Sequence, residues 1–382
     1  MIYLDNAATT YPKPNQVVEM MKISALKYGA NPGRSSYEMC KNTTEQIYNV
    51  RKKLKEMFNA SGEENVVFTQ NCTASLNIAV KGLAKSYTRV ITSNLEHNSV
   101  MRPLEKLKSE KNIAVDIFEK GKTKEETLEN FKRLIRYDTS LVVCTYASNV
   151  FGDILPIKEM GRILKKKNIA FIVDGAQAAG VIDIDIKRDN ISCLCLPGHK
   201  GLYGVMGTGV LVINDDVLID TLFEGGTGTM SKSLVQPFDY PERLESGTLN
   251  VPGITALGKG IDFLNEIGIE KIHNYECGLI KYLYSSLKKN EDVILYNEFD
   301  EKNFVPILSF NVKNMSSEET VQLLSVENIA VRGGFHCNAN AHKYYGSYEI
   351  GTVRVSVSCF NTKKDMDILL NSVKKIAKFK NV

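Results

Sequence analysis

The sequence predicts an α/β protein. A large domain built on a mainly parallel sheet with helices on both faces is followed by a smaller α+β domain at the C-terminal end. Three observations carry this. Short apolar runs alternate with helix-length segments from residue 66 to residue 213, the order that builds a parallel sheet. Two of the runs, 169–173 and 191–196, close on Asp174-Gly175 and Pro197-Gly198, as strands buried on both faces do. Past Pro252 the order changes to two long helices and then a mixture of strands and helices. The expected boundaries are an N-terminal segment 1–14, a large domain 15–251 and a small domain 252–382.

Composition narrows the class. With 382 residues the chain can bury one large core and a smaller one. Its 43% hydrophobic and 24% charged residues are those of a soluble globular protein. A net charge of +4 without a basic tract argues against a nucleic-acid partner. MIYLDNAATT has neither the charged nor the apolar part of an export signal, and no apolar run approaches membrane-spanning length. A cytoplasmic protein with no membrane contact is expected. The eight cysteines (40, 72, 144, 193, 195, 277, 337, 359) form no C-x-x-C pair and are expected to stay reduced. Cys193 and Cys195 alternate in a strand and read as packing residues. Together with His199 they lack a fourth zinc ligand, so no metal is expected.

Taken in order, residues 3–9 are an extended lead into a turn, 15–28 a helix, 29–35 a loop and 43–58 a second helix. The strand at 66–69 leads through Gln70-Asn71-Cys72-Thr73 into a helix reaching about residue 83. Its small polar residues suit a phosphate, or else Thr73 or Ser75 is an ordinary helix cap. The strand at 89–92 ends near Glu96-His97. Thr123-x-x-Glu126 has the form of a capping box opening the helix 123–135. A strand at 141–146 runs out to Asn149, and 157–167 is a crossover helix. Another strand covers 210–213. The Gly-rich stretch 225–233 fails as a nucleotide phosphate loop, because Ser231 stands where glycine must precede Lys232. Helices at 254–267 and 270–288, strands at 293–296 and 307–312, a helix at 317–327 and a last helix from Lys363 complete the chain. Residues 352–358 alternate strictly, with Val353, Val355 and Val357 on one face and Arg354, Ser356 and Ser358 on the other. That strand is either a surface edge or a mount for an arginine fork that grips a carboxylate.

The chemistry gathers at two strand ends. Asp174 and Lys200 follow neighbouring apolar runs, and in open α/β sheets ligands sit at the carboxyl ends of the strands. A structural ion pair is one reading. The other is a pyridoxal phosphate (PLP) site, in which a lysine amine joins the cofactor aldehyde and a carboxylate pairs with the ring nitrogen. Gln177 would then bond the ring hydroxyl. Cys337, in a loop between apolar stretches, reads either as an inert half-buried thiol or as a nucleophile whose thiolate His336 and Arg332 favour.

DGAQ at 174–177 followed by GHK at 198–200 resembles the class V aminotransferase branch of the fold-type I PLP-dependent transferases. The resemblance is narrowest to the cysteine desulfurase and selenocysteine lyase group. YLDNAATT at 3–10, LEHN at 95–98, R-x-E-x-G-T at 243–248 and R-x-G-x-H-C around 332–337 are similar to family motifs as well. The resemblance implies that Lys200, Cys337 and His97 are catalytic. It implies a cofactor set of Cys72, Thr73, His97, Asn149, Asp174, Gln177, His199, Lys200 and Thr248, with His97 stacked on the ring and Cys72-Thr73 at its phosphate. The substrate carboxylate falls to Arg354, helped by Asn149. Thr248 would reach the phosphate of a neighbouring subunit, hence a homodimer with shared active sites. The implied reaction converts L-cysteine to L-alanine and leaves the sulfur as a persulfide on Cys337. A sulfur-acceptor protein would receive it, as in iron–sulfur cluster assembly. The alternative is a related class V lyase or aminotransferase acting on another amino acid, selenocysteine included. Three features depart from the pattern: Asn71 in place of a glycine, Pro197 in place of a serine, and the stretch 338–353.

Overall fold

The structure, a computed structural model, describes residues 1–300 and 303–379. The chain opens with strand β1 (Ile2–Tyr3) and helices α1 (Asn15–Lys27) and α2 (Glu38–Phe58). The sheet region follows as β2 (Val66–Thr69), α3 (Cys72–Leu83), β3 (Arg89–Ser93), α4 (Asn98–Glu110), β4 (Ala114–Phe118), α5 (Lys124–Leu134), β5 (Thr139–Thr145), α6 (Ile157–Lys165), β6 (Ala170–Asp174), β7 (Cys193–Pro197) and β8 (Gly209–Ile213). Beyond it come α7 (Val251–Ile267), α8 (Ile269–Leu287), β9 (Val293–Leu295), β10 (Ile307–Val312), α9 (Ser317–Val326), β11 (Ile329–Ala330), α10 (Ala339–Tyr344), β12 (Val353–Ser356) and α11 (Lys363–Phe379).

Seven strands form one sheet in the order β2-β8-β7-β6-β5-β3-β4. Strands β3 to β7 pair in parallel, and β8 runs antiparallel between β7 and β2. The continuous apolar runs have the physical cause expected of them. Val142, Cys144, Phe171, Val173, Leu194 and Leu196 point to one face, beneath α2, α6 and α7. Leu141, Val143, Ile172, Cys193 and Cys195 point to the other, beneath α3 and α4. With both faces covered, no position on the central strands is left for a polar alternation. Cys193 and Cys195 are packing residues, as their spacing indicates. A second, antiparallel sheet β12-β10-β9 buries Val353 and Val355 against α8, α9 and α11.

Several local expectations change. The lead strand β1 pairs in parallel with β11, so the first residues are stitched to the C-terminal region. Asn71, and neither Thr73 nor Ser75, caps α3 by accepting the Ala74 amide at 2.9 Å. Thr123 caps α5, but Glu126 turns back to the Lys122 amide at 2.7 Å, so the box does not close. Ser316 and Glu319 form a closed capping box at the start of α9.

Arg51 of α2 is buried between layers. It bonds the carbonyl of Val66, forks onto Glu245 with one arm at 2.8 Å, and lies 4.6 Å over the Phe68 ring. Arg51→Ala strands a buried carboxylate and is expected to cost about 3–5 kcal/mol. The check is a fall in the urea midpoint with the slope unchanged. A loss on the scale of an exposed pair contradicts the assignment.

Candidate active site

The site lies at the carboxyl ends of β3, β5, β6 and β7, where parallel strands open into loops together. Strand β6 ends on Asp174, which is 3% exposed. One of its oxygens accepts the Ala176 amide at 2.9 Å and lies 3.6 Å from the Cys72 thiol. Burial, with Asp174 beside it, pushes that thiol well above the usual range, so Cys72 stays protonated. Strand β7 ends on Pro197, and the turn after it presents His199 and half-buried Lys200. Burial lowers the Lys200 ammonium below the ordinary lysine value. Arg354 and Arg332 lower it further, while Asp174 opposes them.

His97 caps α4, which fixes its ring. Nδ1 accepts the Ser99 amide at 3.0 Å and lies 2.9 Å from Ser99 Oγ. An amide can only donate, so the proton of the neutral ring sits on Nε2. Burial holds His97 below its ordinary value, and the positive charges of Lys200, Arg332 and Arg102 add to this against Asp174. Ser99 Oγ continues to Thr73 Oγ1 at 2.8 Å, linking His97 to the first turn of α3.

Cys337 is the one exposed cysteine of the eight. His336 and Cys337 both have positive φ, 49° and 59°, so the loop turns sharply outward at the thiol. Three contacts seat it: the Asn98 amide on the Cys337 carbonyl at 2.8 Å, Asn149 Nδ2 on the His336 carbonyl at 2.7 Å, and Asn338 Nδ2 on the Leu95 carbonyl at 2.7 Å. The loop is thus seated on the start of α4, the helix that His97 caps. Both ends of the Asn149 amide serve this loop, since its Oδ1 accepts from Asn338 at 3.2 Å. His336 differs from its expected role. Its Nε2 faces the Thr352 carbonyl at 3.0 Å, and burial holds the ring neutral, so it offers no positive charge to the thiol. Arg332 makes no ion pair or side-chain hydrogen bond among the described residues and is the free cation nearby.

Arg354 is 1% exposed. It is no edge-strand residue, because the outer side of β12 is covered by Arg332 and by Asp5. Its Nη2 reaches Asp5 at 2.7 Å and its Nη1 the Asn149 carbonyl at 2.9 Å. Gln177 spends its amide on the Ala7 carbonyl at 3.1 Å and shares a small cavity with Lys200. Thr248 does not join this group within one chain. It is exposed, 3.4 Å from Asn31 Nδ2, in a surface hollow with Gln70 and Gly225.

Residues that the sequence reading passed over complete the site. Glu96 is 1% exposed, takes the Thr145 amide on both oxygens at 2.9 Å and bonds Ser93, locking the ends of β3 and β5 together. Burial pushes its carboxyl up to about 8. An acid directly before a strand-end histidine was the available signal. Lys13 Nζ bonds the His199 carbonyl at 2.7 Å and is lowered to about 8 by burial.

The donors fit a phosphorylated aromatic aldehyde. Nδ1 of His199 is buried without a partner, and burial, Lys200 and Lys13 hold that ring at about 4. The first amides of α3 precede its hydrogen-bond ladder. Asp174 supplies a buried carboxylate and Lys200 an amine.

The family model described as aminotransferase class-V matches residues 2–369. The chain is 32% identical to a probable cysteine desulfurase of Methanothermobacter thermautotrophicus, over 98% of this chain and 94% of the other. It is 29% identical to a cysteine desulfurase of Salmonella agona, over 98% and 93%. Among solved structures it is similar to an apo cysteine desulfurase of Thermococcus onnurineus, with a TM-score of 0.90 at 29% identity over 99% and 94% of the two chains.

Proposed function

The chain belongs to the class V aminotransferase family, and on that premise we propose that it is a PLP-dependent cysteine desulfurase. One observation carries the reading: the exposed Cys337 is docked, through its own carbonyl, onto the helix capped by His97. On this reading the loop brings its thiol to whatever Lys200 and Asp174 hold.

The residues that would hold PLP are Lys200 at its aldehyde, Asp174 at its ring nitrogen, Gln177 at its ring hydroxyl and His97 over its face. Cys72, Thr73 and His199 would take its phosphate. When bound, the cofactor supplies an electron sink for charge developing at the substrate Cα. Arg354 binds the α-carboxylate, and Asn149 holds both that guanidinium and the Cys337 loop. Lys200, lowered toward neutrality, moves the proton at Cα. Cys337, as thiolate, attacks the substrate sulfur. An S–S bond forms, the C–S bond breaks, and the carbon is protonated to give alanine. His97 Nε2 serves proton transfer.

Thr248 is exposed and apart from Lys200, which supports a homodimer in which it reaches the partner subunit's cofactor. Exposed Leu234, Val235 and Phe238 on the preceding loop supply apolar area for the contact. Cys337 is exposed, which suits delivery to a sulfur-acceptor protein of the iron–sulfur assembly kind. Among the described residues no helix is long and apolar enough to cross a membrane. Cysteine usage in the sequence supports the cytoplasm.

Incubation with L-cysteine and a thiol reductant should yield alanine and sulfide in equal amounts. Pyruvate and ammonia, or no turnover, contradict the reading. The acid limb of kcat/KM should lie below the ordinary histidine value of about 6.5, because His97 stays neutral to lower pH. His97→Gln should remove that limb, and a limb that persists unchanged excludes His97 as its source.

A further inference from the structure

Resting on the reading that Arg354 receives the substrate carboxylate, we propose that Asp5 is the positioning residue for that arginine, aiming its remaining donors at the substrate. Arg354 is buried, and Asp5 is its single acidic partner among the described residues, Nη2 to Oδ1 at 2.7 Å. A guanidinium so buried needs a counter-charge to stay ionised. Burial and neighbouring Arg332 weigh against its charge, and Asp5 weighs for it.

Asp5 is built as a permanent partner and not as a plug that substrate displaces. Its backbone is pinned on both sides. Leu4 donates to the Ala330 carbonyl at 2.8 Å, and Ser356 donates to the Leu4 carbonyl at 2.8 Å. Asn6 donates to the Ser356 carbonyl at 3.3 Å, and Ala7 to Ser356 Oγ at 2.8 Å. Asp5 and the Asn149 carbonyl together fix the guanidinium plane, using Nη2 and Nη1. Nε–H remains, buried and without a partner, beside the unused Nη hydrogens, which is the fork a carboxylate needs. Arg332 leaves the site attractive to an anion although Asp5 neutralises Arg354.

The same segment grips the other side of the crevice. Thr10 Oγ1 bonds the Lys200 carbonyl at 2.9 Å, and its amide bonds that of His199 at 3.1 Å. Residues 5–10 therefore set the spacing between the amine and the guanidinium. The YLDNAATT motif thereby gains a physical task in substrate alignment.

The test is equilibrium absorbance titration of the cofactor-loaded protein with L-alanine and with ethylamine, which lacks the carboxylate, for wild type, Asp5→Asn, Asp5→Glu, Arg354→Gln and the Asp5→Asn/Arg354→Gln double variant. Thermal unfolding of each variant checks folding. Asp5→Asn is expected to weaken L-alanine by about tenfold or more, the scale of a lost charge-assisted hydrogen bond. Ethylamine should be unaffected, Asp5→Glu should recover part of the loss, and the double variant should match Arg354→Gln. With L-cysteine, KM should rise while kcat changes little. Equal loss for both ligands, tighter L-alanine binding or no loss overturns the inference. If Arg354→Gln also leaves L-alanine unaffected, the carboxylate assignment falls with it. If Arg354→Gln alone weakens L-alanine, that assignment stands and only the role of Asp5 falls.

Discussion

Cys337→Ala is expected to bring alanine and sulfide formation from L-cysteine below detection while the fold and the cofactor absorbance remain. The thiol is exposed, so its loss leaves neither a buried cavity nor an unpaired buried group. What seats the loop is backbone: the Cys337 carbonyl on the Asn98 amide and the His336 carbonyl on Asn149. Both contacts survive truncation of the side chain. No other cysteine can substitute, because Cys359 is half-buried and the remaining six are buried. Burial also raises Cys72, Cys144, Cys193 and Cys195 above the thiol range, so these four stay protonated and poorly nucleophilic. The variant is expected to keep its spectral response to L-cysteine, since binding rests on Arg354 and Lys200. Sulfide release comparable to wild type would remove Cys337 from the mechanism.

Lys200→Ala is expected to lower turnover by a factor of about 10²–10⁴ or more, the scale of removing a positioned proton-transfer group. Three features make this amine hard to replace. Burial with Arg354 and Arg332 nearby lowers it from the ordinary lysine range, so it exchanges protons more readily at neutral pH. Its backbone carbonyl is held by Thr10 Oγ1, which fixes where the side chain starts. The nearest other lysine of the site, Lys13, is committed to the His199 carbonyl at 2.7 Å. Added methylamine should restore part of the rate, because the cavity vacated by the side chain admits a small amine. Lys200→Arg should not, since a guanidinium keeps its proton at neutral pH. A Lys200→Ala protein with near wild-type turnover would contradict the assignment.

Much of the fold was legible because the strands are buried on both faces. The runs at 66–69, 89–92 and 307–312 fall on β2, β3 and β10 with at most one residue of difference. Strand β4 escaped notice because Ala114–Phe118 lies at the sheet edge and is only partly buried, so it carries no apolar run. The antiparallel sense of β8 follows from its folding back on β7 and its pairing with the distant β2, and the apolar run 210–213 carries no sign of strand direction. At the site, Asp174 and Lys200 were readable from their place after apolar runs. The tasks of Asp5, Glu96 and Asn149 were not, because each acts on a residue far along the chain: Asp5 on Arg354, Glu96 on Thr145, Asn149 on His336 and Asn338. The neutrality of His336 was invisible for the same reason, since it follows from burial and from Thr352.

The most direct test is where the sulfur goes. The protein would be exposed to L-cysteine without reductant, alkylated and digested, and each of its eight cysteine-containing positions examined by mass spectrometry. One added sulfur atom on Cys337, absent from Lys200→Ala, is the predicted result. Alanine formation with no sulfur on Cys337, or with the sulfur on another cysteine, would contradict the account.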